Sequence, residues 1–174
     1  MAKSSQTFLL DLHQLGRHPG ELIERQLQLP APADLSVGLI SVPEGSDLSI
    51  DLTCQSAGDG VLVQGQVKAS LVGQCGRCLV NLEDSQVFDI QELYFYPGKG
   101  PEEEEEGALF VTDHQVDLEP TLREAIVLNL PFNPLCRDDC AGLCLVCGVN
   151  LNQKPKHSHE AEPDARWQKL QELS

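Results

Sequence analysis

The chain has 174 residues, of which 41% are hydrophobic and only 5% aromatic. This length suits one domain with a small appendage, and the composition favours a core of Val, Leu and Ile. The formal net charge of −15 repels phosphate, which argues against broad electrostatic binding to RNA or DNA. The same charge favours basic proteins or metal cations as partners.

The N-terminal segment has one lysine and an apolar run of only residues 8–10 before Asp11, which does not fit a signal peptide. No window approaches the roughly 18 apolar residues that a membrane span needs. We therefore expect a cytoplasmic protein with no membrane partner, where reduced thiols favour metal binding over disulfides. The odd number of cysteines, seven, also argues against a closed disulfide framework.

Two short elements are predicted at the start of the chain. Apolar and polar side chains alternate over residues 4–13 and predict a strand. Residues 21–29 place Leu22, Ile23 and Leu27 at helical spacing, which predicts a short amphipathic helix. The prolines that follow this segment would end the helix.

The middle of the chain has the two-residue period of antiparallel strands with one solvent-exposed face. Alternation begins at residues 37–39 and 48–54, and it resumes at residues 61–71 after a Gly-rich turn at 57–60. Residues 87–96 predict a further strand with fewer polar interruptions.

An acidic loop and two helices are predicted beyond these strands. Residues 98–107 contain five consecutive Glu, which repel one another and favour a solvated spacer; the alternative is a docking patch for a basic partner. Residues 118–130 have apolar side chains at helical spacing, and Pro120 suits the first turn. Residues 162–173 can form a short C-terminal helix.

Together these elements predict an α+β fold, in which an antiparallel β-sheet has flanking helices and a C-terminal Cys/His zinc-binding module. We place the α+β domain at residues 1–132, including the acidic loop, and the zinc-binding module with the C-terminal helix at residues 133–174.

The seven cysteines divide into one single residue and three pairs. Cys54 lies on the apolar face of a predicted strand, where a buried thiol acts as a small hydrophobic residue. The pairs are Cys75 with Cys78, Cys136 with Cys140, and Cys144 with Cys147, and His157 with His159 adds two imidazoles. Cysteines with two residues between them in a tight turn can both direct sulfur at one ion. His13, His18 and His114 stand alone and carry no assigned role.

Tetrahedral zinc takes four such ligands, so using each pair once predicts two structural zinc ions. One site would combine Cys75 and Cys78 with Cys136 and Cys140, and the other would combine Cys144 and Cys147 with His157 and His159. A single site made by the four cysteines between residues 136 and 147 is the competing arrangement. The Cys75–Cys78 pair also resembles a redox dithiol, but no helix pattern follows it to lower a thiol pKa.

The metals are predicted to be structural because complete ligand sets leave no open position for a catalytic water. The sequence has no His-Glu-x-x-His motif, Gly-rich phosphate loop or nucleophile elbow. We therefore expect that this protein is not an enzyme.

Several stretches resemble the YceD family, described as large ribosomal RNA subunit accumulation proteins. They include "GRHPGE", "VLVQGQVKASLVGQCGRCLVNLE" and, most specifically, "DLEPTLREAIVLNLPFNPLCRDDCAGLCLVCGVNLN". The family's CxRC motif matches Cys75, Arg77 and Cys78, and its longer cysteine motif matches residues 134–152. Many relatives have Cys-x-Cys near the end, where this chain has two histidines, an exchange that zinc tolerates.

The resemblance implies a function in accumulation or processing of 23S ribosomal RNA. The family's gene commonly lies beside the gene for a small protein of the large ribosomal subunit. An acidic chain would act through a basic ribosomal protein, such as that neighbour, or an assembly factor, and its contact with pre-ribosomal RNA would be indirect. The alternatives are a redox- or zinc-sensing thiol regulator and a nuclease, which the lack of a carboxylate-rich metal site disfavours.

Overall fold

The computed structural model describes residues 6–16, 18–100 and 107–159. The elements in chain order are a 3-10 turn (Gln6–Phe8), β1 (Leu9–Asp11), β2 (Leu22–Pro30), β3 (Ser36–Val37), β4 (Ile40–Ser41), β5 (Asp47–Ser56), β6 (Gly60–Gln74), β7 (Asn81–Phe95), β8 (Leu109–Phe110), β9 (Gln115–Asp117) and α1 (Glu119–Asn129). The described part of the chain is therefore mostly β-sheet with one α-helix.

A seven-stranded sheet forms the body of the fold, and β6 is its central strand. β7 pairs with β6 along its whole length, from Gly60 opposite Phe95 to Gln74 opposite Asn81. β5 and β4 pair with successive parts of β6, and β2 and β3 lie outside them. All of these pairings are antiparallel, whereas the short β8 pairs with β7 in parallel.

The main core lies between one sheet face, the β1–β9 ribbon and α1. Its fully buried side chains include Phe88, Tyr94, Leu122 and Ile126. The Tyr94 hydroxyl donates to the main-chain oxygen of Asp117 at 2.9 Å and lies 2.6 Å from the Thr121 hydroxyl. This contact fixes the start of α1 against β7, so the chain that leaves α1 begins from a defined position on the sheet.

The helix predicted at residues 21–29 is wrong, because this segment is strand β2. It pairs with β5 along its whole length, and its side chains alternate between exposed and half-buried. Ile23 and Leu27 are half-buried, but Leu22 is 56% exposed. Here the backbone hydrogen bonds are made with the neighbouring strand β5. The helical spacing of the three apolar residues was coincidental and does not correspond to a buried helix face.

The strands predicted at residues 48–54, 61–71 and 87–96 lie within β5, β6 and, up to Phe95, β7. The strand predicted over residues 4–13 is shorter in the structure, because Gln6–Phe8 form a 3-10 turn and only Leu9–Asp11 are strand. Residues 37–39 are divided between the end of β3 and the turn before β4. Phe8, Leu10 and Leu12 are buried on one side, and the predicted helix at 118–130 is α1. The predicted fold with flanking helices is therefore confirmed only in part, since one α-helix is present among the described residues. The predicted C-terminal helix and the five consecutive Glu of the acidic loop lie outside these residues. No described helix has the length and hydropathy to cross a membrane.

Candidate metal centres

The first cluster of thiols begins at the tip of the longest hairpin. Residues 75–80 form the turn between β6 and β7, and this turn contains Cys75 and Cys78. The Cys75 N–H donates to the Val80 carbonyl, and the Leu79 N–H donates back to the Cys75 carbonyl, both at 2.9 Å. Because the strands are paired up to this turn, the hairpin presents both sulfurs from a fixed backbone.

Cys136 and Cys140 reach the same place from the loop that follows α1. The Gly76 N–H donates to the Pro134 carbonyl at 2.8 Å, which holds this loop against the hairpin tip. The sulfurs of Cys75 and Cys140 are 3.8 Å apart, and those of Cys78 and Cys136 are 3.6 Å apart. All four sulfurs lie within 4.8 Å of one another, so this group could hold a metal ion.

The second cluster lies at the end of the described chain. The Cys147 sulfur is 3.2 Å from Nε2 of both His157 and His159, and these two nitrogens are 2.9 Å apart. Together with the Cys144 sulfur, these atoms also lie within 4.8 Å of one another. This group is more open to solvent, because Cys147 and His159 are exposed whereas three cysteines of the first group are buried.

The turns at Cys75 and Cys144 have the same backbone hydrogen bonds. The Cys144 N–H donates to the Val149 carbonyl and the Gly148 N–H donates to the Cys144 carbonyl, both at 2.8 Å. The fourth residue after each first cysteine is left-handed: Leu79 has φ 56° and Gly148 has φ 72°. Both turns therefore direct backbone N–H groups towards the enclosed sulfur, the arrangement that supports a thiolate ligand.

These donors change the acidity of the thiols. Burial acts to raise the pKa of Cys75, but backbone N–H groups, chiefly those of Cys136 and Cys78, lower it to about 6. N–H groups of Cys147 and Val146 lower the pKa of Cys144 to about 6. Each turn thus stabilises one thiolate near neutral pH, which is the form that binds metal.

The remaining thiols of the first group show why it favours a cation. Asn152 donates to the Cys140 sulfur and lowers the pKa of that thiol. Desolvation and the neighbouring thiols raise the pKa of Cys136 to about 12. Without a positive charge among them, four adjacent thiols cannot all ionise, and a metal ion would remove this conflict.

The structure brings the eight predicted ligands together in the two predicted groups of four. The competing set of four cysteines between residues 136 and 147 is divided between the groups. Cys54 is fully buried in the main core, and burial raises its pKa to about 11. His13 stacks on His114 with ring centroids 4.7 Å apart, so these two histidines are neighbours, which their separation in sequence did not indicate.

A known protein family matches the part of the chain that contains both groups. The family model described as "Large ribosomal RNA subunit accumulation protein YceD" matches residues 63–174. The chain belongs to the YceD family. The match begins in β6 and covers both groups of candidate ligands.

Relatives extend the likeness over nearly the whole chain. An uncharacterized protein of Mycobacterium tuberculosis is 41% identical over 94% of this chain and 80% of its own length. An uncharacterized protein of Mycobacterium leprae is 35% identical over 95% of this chain and 76% of its own length. A maize protein named "Large ribosomal RNA subunit accumulation protein YCED homolog 1, chloroplastic" is 40% identical over 23% of this chain and 14% of its own length. No solved structure matches the chain.

Two polar residues of this YceD chain support the ligands without belonging to either group. The Arg77 side chain donates to the main-chain oxygens of Cys140 at 3.0 Å and Asp138 at 3.3 Å. Asn152 contacts Cys140 itself. Sequence reasoning matched both residues to family motifs but gave them no role, because neither is a metal ligand and their contacts span 63 and 12 positions.

Proposed function

We propose that this chain is a non-enzymatic factor that supports accumulation and processing of 23S ribosomal RNA and assembly of the large subunit. The observation that carries the proposal is the YceD match over residues 63–174. The family's description names accumulation of large-subunit ribosomal RNA, and so does the name of the maize relative. The net charge of −15 supports indirect rather than direct contact with RNA.

Zinc is the metal that we propose for both groups, in a structural role. Zn–S bonds of about 2.3 Å in a tetrahedron place two sulfurs about 3.8 Å apart. The Cys75–Cys140 and Cys78–Cys136 separations of 3.8 and 3.6 Å fit this value. Four thiols, or two thiols and two imidazoles, are sets that structural zinc takes, and a complete set supports a non-catalytic site.

The metal content gives a direct test. Protein purified in reducing buffer without added metal should contain two zinc ions per chain by elemental analysis. A Cys54→Ser variant should keep both ions, since Cys54 is buried away from either group. A reproducible value of one ion would remove one of the two sites, and a value of zero would contradict the zinc proposal.

A basic protein partner is supported by a cleft beside the first group of thiols. This cleft of about 450 Å³ lies between β7 and the loop after α1. Its apolar lining includes Ile40, Leu82 and Leu135. Its acidic lining is Glu83, Asp84 and Asp138, all exposed.

The carboxylates of this cleft form no ion pair among the described residues, although Arg77 donates to the main-chain oxygen of Asp138 at 3.3 Å. Within the part of the chain that the structure describes, no Lys, Arg or His lines the cleft. Lys and Arg side chains have apolar stems and charged ends, so they fit an apolar floor with an acidic rim. We propose that a basic segment of a ribosomal protein or assembly factor binds here.

Charge reversal in the cleft tests this partner. A tagged Glu83→Lys/Asp84→Lys variant should capture less than a tenth of the ribosomal proteins that the wild type captures from a lysate at modest salt. It should also fail to restore 23S ribosomal RNA in cells that lack the gene. The matched control is Glu44→Lys/Asp47→Lys, which changes the net charge equally at exposed positions outside the cleft.

Two outcomes of the charge-reversal experiment would count against the cleft. Equal loss in both variants would show that net charge matters and the cleft does not. Full capture by the cleft variant would contradict the proposed surface. In the metal analysis described above, a zinc-free chain with a reversible Cys75–Cys140 or Cys78–Cys136 disulfide would instead favour the thiol-regulator function.

A further inference from the structure

Asn152 lies between the two groups of candidate ligands and contacts the first of them. Its side-chain Nδ2 donates to the Cys140 sulfur at 3.3 Å and to Oδ1 of Asn150 at 3.0 Å. Its Oδ1 accepts hydrogen bonds from Arg137 at 2.6 Å and from the Ala141 N–H at 2.8 Å. These four hydrogen bonds fix which side of the amide faces the sulfur, because the acceptor oxygen is held by two donors.

The same residue belongs to the loop of the second group. Residues 148–156 connect Cys147 to His157, so this loop is closed when both residues bind one ion. The Leu151 N–H donates to the Gly142 carbonyl at 2.9 Å, and Leu143 forms an isolated β-bridge with Asn150. The closed loop thus lies against residues 141–143, which join the two groups, and it places Asn152 beside Cys140.

We propose that Asn152 is a positioning residue that couples the two metal sites. Closure of the second site holds its N–H on the Cys140 sulfur and thereby strengthens metal retention at the first site. Four thiolates carry more negative charge than one divalent ion neutralises, so each N–H donated to sulfur stabilises the complex. Loss of such an outer hydrogen bond typically weakens metal binding about 10–100-fold.

This inference rests on the proposal that both groups bind zinc, and its test uses the metal-loaded full chain. Asn152→Asp keeps an oxygen for Arg137 and the Ala141 N–H but removes the donor to Cys140. Gln153→Glu is the matched control, because it makes the same amide-to-carboxylate change at the exposed neighbouring residue. Release of zinc to a chromogenic chelator is followed over time. In cobalt-loaded protein, the four-thiolate site is distinguished from the two-thiolate site by its stronger thiolate charge-transfer absorption.

We expect Asn152→Asp to release metal from the four-cysteine site about 10–100 times faster than Gln153→Glu or the wild type. His159→Ala, which opens the second site, should accelerate this release by a similar factor. The double variant His159→Ala/Asn152→Asp should be no faster than the faster of the two single variants, since both changes remove the same hydrogen bond.

The outcomes separate this inference from the zinc proposal. A wild type with two ions whose release matches that of Asn152→Asp overturns the function of Asn152. Unchanged release from the four-cysteine site in His159→Ala overturns the coupling between sites. A wild type that holds no metal at either site overturns the zinc proposal, and this inference with it.

Discussion

The two cysteine turns differ at one residue that matters for the backbone. Their hydrogen bonds are the same, yet the left-handed position is Leu79 in one turn and Gly148 in the other. A side chain in this conformation costs roughly 1–2 kcal/mol, because Cβ approaches the following carbonyl. Leu79 is 51% exposed, so packing offsets only part of that cost.

Exchanging the residue types at these positions should have opposite effects. Leu79→Gly should stabilise the zinc-loaded protein by up to about 1 kcal/mol, since relief of strain exceeds the roughly 0.5–1 kcal/mol entropic cost of glycine. Gly148→Ala should destabilise its turn by about 1 kcal/mol. Thermal unfolding with excess zinc measures the first effect, and the rate of zinc release measures the second. A lower melting temperature for Leu79→Gly would show that the leucine side chain contributes more by packing than the strain costs.

At the scale of elements, the turn of the long β6–β7 hairpin and the loop after α1 meet at the first group of thiols. The hairpin presents Cys75 and Cys78 from its turn, while the loop after α1 presents Cys136 and Cys140. In the main core, β7 and α1 are joined by the contact between the hydroxyls of Tyr94 and Thr121. A metal ion in this group would therefore link the C-terminal module to the sheet directly.

Much of this arrangement follows from patterns in the sequence. Alternation over residues 48–54 and 61–71 predicted β5 and β6, and ligand spacing predicted which cysteines gather. Residues 21–29 could not be assigned in the same way, because a short segment with apolar residues at mixed spacing fits both periods until a partner strand is known. The contact between Asn152 and Cys140 could not be predicted from the sequence either, because it depends on how the loop after Cys147 packs against residues 141–143.

The first site joins distant parts of the chain, whereas the second lies within one segment. This difference gives a prediction. Cys144→Ser should lower amide protection mainly in the terminal segment, at residues 143–159, with a smaller effect at Ala141, whose N–H is held by Asn152. Cys78→Ser should lower amide protection at residues 133–142 as well, because the first metal site joins regions 58 positions apart in sequence and this variant breaks that site. Hydrogen exchange on both zinc-loaded variants makes the comparison, with Cys54→Ser as the control. Unchanged protection of residues 133–142 in Cys78→Ser would mean that no metal links these regions.

For the whole molecule, burial divides the described residues into two unequal clusters. The main core contains large side chains from most strands and from α1. The second cluster contains only Cys75, Cys78 and Cys140 as buried members, with Leu82, Leu135 and Leu143 packed against it. Burial of apolar side chains can therefore stabilise the sheet without metal. Residues 133–159 bury few apolar side chains and lack this source of stability.

Removal of metal should consequently unfold one part of the molecule and spare the other. Ordering a residue costs roughly 1–2 kcal/mol, which a few half-buried leucines cannot offset over residues 133–159. Structural zinc supplies on the order of 10 kcal/mol or more per ion. After chelation, the amides of residues 133–159 should exchange freely while those of β5 and β6 stay protected, and zinc should restore the lost protection. If protection of the C-terminal residues survives complete chelation, side-chain packing rather than metal holds this module in place.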